Sequence, residues 1–504
     1  ETRPQLGRGR VSPNTSLFGA RCARIMSSLM SLLVMKFGGT SVGDATAMRQ
    51  VARITRDAVA HWDEVVVVTS AMGRSPNPKD HVKVTDALLN AARAAAAGED
   101  ETYRRARREL SDKHHAAIDA GITSVDERRA IGDEIDKFLD GFEMLCASVR
   151  VLGEATPRAM DAIAGLGERM AARVLAGVIR SAGVMAESID ATEIVVTNTA
   201  HQNAAPLMDM TRERTRARLQ PLLERRIVPV VTGYVGATLK GVPTTLGRGG
   251  SDFSASLVAD ALDATEVHNF SDVDGVLTTD PRIASDARTI DILSATEMSE
   301  MAFFGAQVLH PLTILPLVEK RIPLRVKNTF NPSHPGTLIV YGAARGGKPV
   351  KSVSAIADVA VITVTGRGMQ GVAGIAGRTF TAVARTGTSV YMFSQASAEQ
   401  NICLVVPKDS IERVKPELDR EFAREIFSRD IDAVTVLDDA AIVTAVGSGI
   451  AETPGVSGRV FSALGDRGIN IIAIAQGSSE CGISLVVKGQ SAQDAVRAVH
   501  SLIV

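Results

Sequence analysis

The C-terminal third of this chain repeats itself, and no other feature restricts its fold as strongly. One copy reads R-T-F-T-A-V-A-R-T-G-T-S-V from Arg378 to Val390; the second reads R-V-F-S-A-L-G-D-R-G-I-N-I from Arg459 to Ile471. Matched segments follow at 394–399 and 475–480, each with a glutamine second, Gln395 or Gln476. Then come the apolar runs Ile402 to Val406 and Ile483 to Val487. The offset stays at about 81 residues throughout, which chance similarity rarely achieves. Each copy reads strand, glycine-containing turn, helix, strand, strand, helix. That order fits a ferredoxin-like βαββαβ unit. Such a pair serves either as a dimerisation module or as a sensor of a small ligand.

Ahead of the repeat, Asn331 to Lys348 is dense in Pro and Gly and marks a boundary. Upstream of it, β and α signals alternate. Leu32 to Phe37 is an apolar run closed by Gly38-Gly39; Asp44 to Ala60 reads as a helix and Val65 to Thr69 as a strand. Strand, glycine turn, helix, strand is a βαβ unit, and therefore a parallel sheet. Residues 86–150 read as helices, 184–199 and 228–236 as further strands, 253–262 as a helix and 265–270 as a strand. A length of 504 residues suits about three domains. The expected division is an extension over 1–32, an α/β domain over 33–345, and two repeat domains over 353–435 and 436–504.

Composition narrows the function. Lys and Arg total 56 against 57 for Asp and Glu, a net charge of -1. Aromatic residues make up 4%, with one Trp. Neither a basic footprint nor base-stacking platforms are present, so nucleic acid is not an expected partner. No run reaches 18 apolar residues, so no membrane span is expected. Cys22, Cys146, Cys403 and Cys481 are scattered, which argues against a disulfide framework or a zinc site and for a reducing compartment. The first 25 residues carry five Arg and no acid after Glu1. They read as an upstream extension of the frame, with a start at Met26, Met30 or Met35 and a cytoplasmic protein; the alternative is an organelle transit segment and a plastid location.

Three glycine-rich turns could carry chemistry. Lys36 to Ser41 ends a strand and precedes a helix, where backbone amides and a lysine can meet a phosphate; a tight turn with a surface lysine is the plainer reading. Gly247 to Asp252 runs into a helix, and Ser251 or Asp252 could simply be its N-cap. Arg248 between glycines is harder to explain that way, since a guanidinium there suits a carboxylate or phosphate. Ser271-Asp272-Val273-Asp274-Gly275 follows a strand, where α/β sheets bind ligands, though Asp-Gly is also a turn signal. Glu168 opens another helix; it either favours the helix N-terminus or binds an ammonium.

Together these segments, with Ser70-Ala71-Met72-Gly73, Gly167-Glu168 and Phe304-Gly305-Ala306 ahead of His310-Pro311, resemble aspartate kinases of the amino-acid kinase family. The repeat resembles their paired ACT domains. The resemblance runs over about residues 33–504. It implies an α/β sandwich around a mostly parallel sheet, followed by two ferredoxin-like domains. It also implies transfer of phosphate from Mg-ATP to the side-chain carboxylate of L-aspartate, the first step toward lysine, threonine and methionine. Carried over residue by residue, Lys36 and Asp252 are catalytic. Thr40, Ser41, Ser70, Thr85, Glu168, Arg248 and Ser251 bind substrate. Lys36, Gly38, Gly39, Ser271, Asp272, Gly275, Arg282 and Gln307 face the nucleotide. No protein-held metal site is implied. Gln395 and Gln476 resemble the effector positions of threonine-sensitive forms, with lysine as the other candidate; a turn glutamine is the plainer reading. Paired ACT domains imply at least a homodimer.

Two positions depart from the family: Leu277 stands where a Tyr is common and Gln307 where a Lys is usual. Losing a phosphate-side Lys removes a contact worth roughly 1.5–3 kcal/mol, so ATP binding is expected to be weaker unless Arg282 compensates. The rivals are another amino-acid kinase and a catalytically degenerate amino-acid sensor. The chain reads as a monofunctional kinase or as a fragment of a fusion with homoserine dehydrogenase.

Overall fold

The computed structural model describes residues 31–75, 82–305, 309, 311–342, 348–396, 398, 400–477 and 481–503. Leu32–Phe37 is a strand whose six side chains are all buried, as befits a central strand covered on both faces. It pairs in parallel with Glu64–Thr69 on one side and Glu266–Ser271 on the other. The sheet has eight strands in the order Ala186–Ile189, Val228–Thr232, Glu64–Thr69, Leu32–Phe37, Glu266–Ser271, Leu324–Asn328, Thr337–Val340, Ile292–Ser294. The pairing of Leu324–Asn328 with Thr337–Val340 is antiparallel and the others are parallel.

Alternation along the central strand sorts the helices into two layers. Leu33, Met35 and Phe37 pack among Ala45–Val59, Val84–Ala96, Asp100–Gly121, Val125–Leu152 and Leu166–Ser181. Leu32 and Val34 face Met208–Glu224, Gly250–Leu262, Ala295–Phe303 and Pro311–Lys320. Local chemistry sets the helix ends. Asp44 accepts from the Ala47 amide at 2.8 Å and starts the first helix. Ser124 caps Val125–Leu152, and Gly153 ends it at φ 67°. Strand order reverses at Leu32–Phe37, so a crevice opens beyond its carboxyl end.

The repeat forms one antiparallel sheet, ordered Met392–Gln395, Asn401–Pro407, Ser352–Thr365, Ala433–Val446, Gly482–Lys488, Ala473–Ala475. Its two central strands are 14 residues each. They change register between Ile356 and Val361, around Asp358 at φ 57°. Beyond that break, Val359–Thr365 belongs to the first copy. Before it, Ser352–Ile356 pairs with Ile442–Val446 of the second copy. Val350 and Val353 accordingly pack with Val443, Val456 and Val496, while Val364 and Met369 pack with Leu404 and Leu418. The copies are therefore interleaved, the first inserted into the second, rather than consecutive as a split near residue 435 would have them. The matched segments begin only at Arg378 and Arg459, so they carry no trace of which strand closes the second unit.

The entering strand is pinned to the α/β domain. Lys351 Nζ lies 2.9 Å from Glu297 Oε2, both residues being buried. Burial alone would raise the Glu297 pKa, but the Ser294 and Ser448 amides and Lys351 hold it below the usual range. Lys351→Met leaves that buried carboxylate with its two amides but without its cation, and should cost up to about 3–5 kcal/mol. Urea unfolding measures this; a loss under about 0.5 kcal/mol would show that the pair is not what anchors the strand.

Candidate functional site

The loops that follow the parallel strands Leu32–Phe37, Glu64–Thr69 and Val228–Thr232 meet the turn Gly247–Asp252, which leads into a helix. Lys36 is the penultimate residue of its strand, and its Nζ sits 2.5 Å from Asp252 Oδ1. Asp252 occupies the first turn of the helix Gly250–Leu262, whose cap is Gly249 at φ 73° with no side-chain partner. Neither Ser251 nor Asp252 is the N-cap, and the helix starts three residues before Phe253. Gly250 is required there: a Cβ would stand 2.7 Å from the Tyr234 ring. Its close approach to Tyr234 outweighs glycine's poor helix propensity.

The first two loops press backbone on backbone. The Gly73 amide donates to Gly39 O at 2.8 Å, and Ser70 N to Phe37 O at 3.1 Å. A Cβ on Gly73 would lie 2.5 Å from the Gly39 carbonyl carbon. Gly73→Ala should therefore separate the loops, lowering turnover at least about tenfold and stability by about 1–3 kcal/mol. Steady-state kinetics and urea unfolding together check this; an unchanged variant would show that the contact is slack.

Between the loops lies a cleft of about 600 Å³. Lys36, Gly39, Ser70, Thr85, Glu168, Arg248, Ser251 and Asp252 line it, as do Gln202 and Tyr234. Glu168 is 3% exposed, with Oε2 unpartnered. Burial pushes its pKa up to about 7, against the pull of the Ala71 amide and its own. Arg248 stands exposed between Gly247 and Gly249, both in the left-handed region at φ 77° and 73°. A buried carboxylate and an exposed guanidinium on one cleft are what a zwitterion needs. Lys36, held by Asp252 beside the amides of a glycine turn, can neutralise a bound anion.

A second cleft of about 500 Å³ is lined by Ser271, Asp272, Gly275, Leu277 and Arg282, and by Ser352–Ala355 of the repeat domain. Its loop is tied down through Asp274, which accepts from Asn328 Nδ2 at 2.9 Å and Asn331 Nδ2 at 3.0 Å. Gly275 sits at φ 119°, where a Cβ would come within 2.6 Å of Thr337 Oγ1. Arg282 is 89% exposed and chelated by Asp280. Gln307 lies outside the described residues, as do Ala306, Val308 and His310.

Two of the residues assigned to the substrate are not brought to the first cleft. Thr40 and Ser41 form a single turn, Thr40–Val42. That turn swings Ser41 inward, fully buried, with Oγ 2.7 Å from Thr329 Oγ1. Gly38 instead lies under Lys36 and donates to Phe270 O at 3.2 Å. Sequence reasoning missed Gln202 and Tyr234, non-glycine residues at φ 69° and 68°. Gly233-Tyr234, just after a strand, is a turn signal that marks the second; nothing in the residue types marks the first. In the repeat domain, Gln395 lines a cleft of about 420 Å³ with Met369 and Gly371–Ala376. Gln476 is exposed, with Oε1 3.3 Å from Ser457 Oγ.

Known proteins match this arrangement. Residues 31–328 match the amino acid kinase family, and residues 362–422 and 443–502 each match the ACT domain. The chain is 34% identical over 485 residues to the chloroplastic bifunctional aspartokinase/homoserine dehydrogenase 1 of Arabidopsis thaliana, covering 94% of this chain and 51% of that protein. It is 32% identical over 474 residues to the chloroplastic aspartokinase 1 of the same plant, covering 93% of this chain and 79% of that one. The chain thus spans about half the length of the bifunctional relatives. Escherichia coli aspartokinase III, solved with aspartate and ADP, superposes with a TM-score of 0.77 at 28% identity, over 94% of this chain and 100% of that one. The chain belongs to the amino acid kinase family and, within it, to the aspartate kinases with paired ACT domains.

Proposed function

We propose that this chain transfers the γ-phosphoryl group of Mg-ATP to the side-chain carboxylate of L-aspartate, giving 4-phospho-L-aspartate, the first step toward lysine, threonine and methionine. The observation that carries this reading is Glu168, Arg248 and the Lys36–Asp252 pair on one cleft. In it, Glu168 receives the ammonium of aspartate and Arg248 its α-carboxylate, with Ser70, Thr85 and Ser251 beside them. The side-chain carboxylate is left free to face Lys36. With an ordinary pKa near about 4 it is already a nucleophile at neutral pH, so no general base is needed. Alignment and neutralisation of charge remain to be supplied. Lys36 does the second, and Asp252 fixes its position.

The nucleotide belongs between Lys36, the Gly38-Gly39 turn and the Ser271–Arg282 loop. Among the described residues, no cluster of three or more His, Cys, Asp or Glu side chains could hold a metal ion. The magnesium ion would arrive on the triphosphate, which with water supplies most of its ligands.

Aspartokinase III has also been solved with lysine and aspartate. For this chain we favour threonine as the effector. The reason is the likeness of Gln395 and Gln476 to the effector positions of threonine-sensitive forms, with Gln395 lining a cleft where its side-chain amide can both donate to and accept from an amino acid. A homodimer through the repeat domains is supported by exposed Phe393 and Ile474 on the two outermost strands of its sheet.

The test is a coupled ADP-release assay with Mg-ATP, with and without L-aspartate, threonine and lysine. Release that requires aspartate and falls with threonine supports both assignments. Aspartate-dependent release that threonine leaves unchanged removes the effector. ATP binding without aspartate-dependent release means a sensor rather than a kinase.

A further inference from the structure

We propose that Gln202 is a specificity residue for the α-carboxylate end of the substrate and that Asp161 is its positioning residue; the assignment rests on the aspartate reading above. Gln202 lines the 600 Å³ cleft yet belongs to none of the glycine loops. Its backbone is left-handed, at φ 69°. A residue with a Cβ adopts that region only where its surroundings impose it, and such positions gather at ligand sites.

The imposing group is Asp161, whose side chain is 1% exposed. Its two oxygens accept from the Gln202 backbone N–H, each at 3.1 Å. Thr245 Oγ1 donates to Oδ1 at 2.6 Å, and His201 Nδ1 lies 2.7 Å from Oδ2. A fully buried carboxylate with every contact directed at one turn and the adjoining strand is an expensive way to hold a surface loop. It is explained if the next side chain must be placed accurately.

The placement is beside Arg248. A Cβ on Gly247 would meet Asn203 Oδ1 at 2.7 Å and Gln202 O at 3.2 Å, so the two turns are in contact. Arg248 provides charge from an exposed position between two glycines; the Gln202 side-chain carboxamide provides a neutral donor from a turn fixed by Asp161. Together they can grip both oxygens of a carboxylate, and the neutral member does not repel the guanidinium.

The experiment compares L-aspartate with 3-aminopropanoate, which keeps the ammonium and the reacting carboxylate but lacks the α-carboxylate. Gln202→Gly relieves the backbone conformation, so it should fold at least as well as the parent. The expected result is a KM for aspartate about tenfold higher, with kcat and the ATP KM within about twofold. The preference for aspartate over 3-aminopropanoate should fall by a similar factor. Asp161→Asn should reproduce that loss of preference. If it lowers only kcat and thermal stability, Asp161 is structural and its positioning role is overturned. Parent activity on aspartate with an unaltered Gln202→Gly variant overturns the assignment alone. A parent without aspartate-dependent turnover overturns the underlying reading and this assignment with it.

Discussion

Lys36→Met should lower kcat by about a thousandfold or more while leaving aspartate binding within a few-fold. The side chain keeps its length and apolar stem, so the central strand should stay packed. What disappears is the charge that the proposed reaction sets against the transferring phosphoryl. Lys36 is 9% exposed and paired with Asp252 at 2.5 Å, so its ammonium acts where water is largely excluded and an interaction of charges counts for more. Asp252→Asn should have a smaller effect, because it loosens the ammonium without removing it. Steady-state kinetics with calorimetric aspartate titration separate the two contributions. A Lys36→Met variant retaining more than about a tenth of parental kcat would mean that Lys36 only lines the site.

Aspartate capture should fail on the acid side of neutrality. In the free cleft Glu168 titrates at about 7, raised chiefly by burial. Below that pH the group is neutral and cannot pair with an ammonium. kcat/KM for aspartate should therefore fall about tenfold per pH unit below 7, while kcat, measured with the ammonium already bound, stays nearly flat. Glu168→Gln should cost about 30- to 100-fold in kcat/KM at pH 8 and abolish this pH dependence. Stability moves the other way. A carboxyl whose folded pKa is raised stabilises the fold most below its unfolded value near 4.5, and that contribution is lost as pH rises through 7. Glu168→Gln should thus melt at a higher temperature than the parent at pH 8 and show little difference at pH 5. A parent whose kcat/KM is level from pH 6 to 8 would remove Glu168 from the ammonium site.

Much of this is legible in the sequence, for a physical reason. Parallel strands end in glycine turns because ligands and backbone must approach closely there, and glycine is visible in a sequence. Hence the turns Lys36 to Gly39 and Ser271 to Gly275 are legible as the ends of parallel strands, and Gly247 to Asp252 as a glycine turn leading into a helix. Contacts whose cause is distant in sequence are not. Nothing near Ser41 foretells that Thr329, 288 residues on, takes its hydroxyl. Nothing near Gln202 foretells that Asp161 bends it to φ 69°. The interleaving of the repeats is hidden for the same reason, since Ser352–Ile356 reads as any apolar strand and only pairing with Ile442–Val446 places it. The start of the helix at Gly250 was missed because propensity opposes glycine there, while the Tyr234 ring demands it.

The most direct test of the account is to run the reaction with hydroxylamine present and identify the trapped product by mass spectrometry. An acyl phosphate on the side-chain carboxylate of aspartate predicts one 4-hydroxamate formed for each ADP released, and none without Mg-ATP. ADP release with no hydroxamate, or a hydroxamate on the α-carboxyl carbon, would contradict the placement of Arg248 on the α-carboxylate and of the side chain against Lys36.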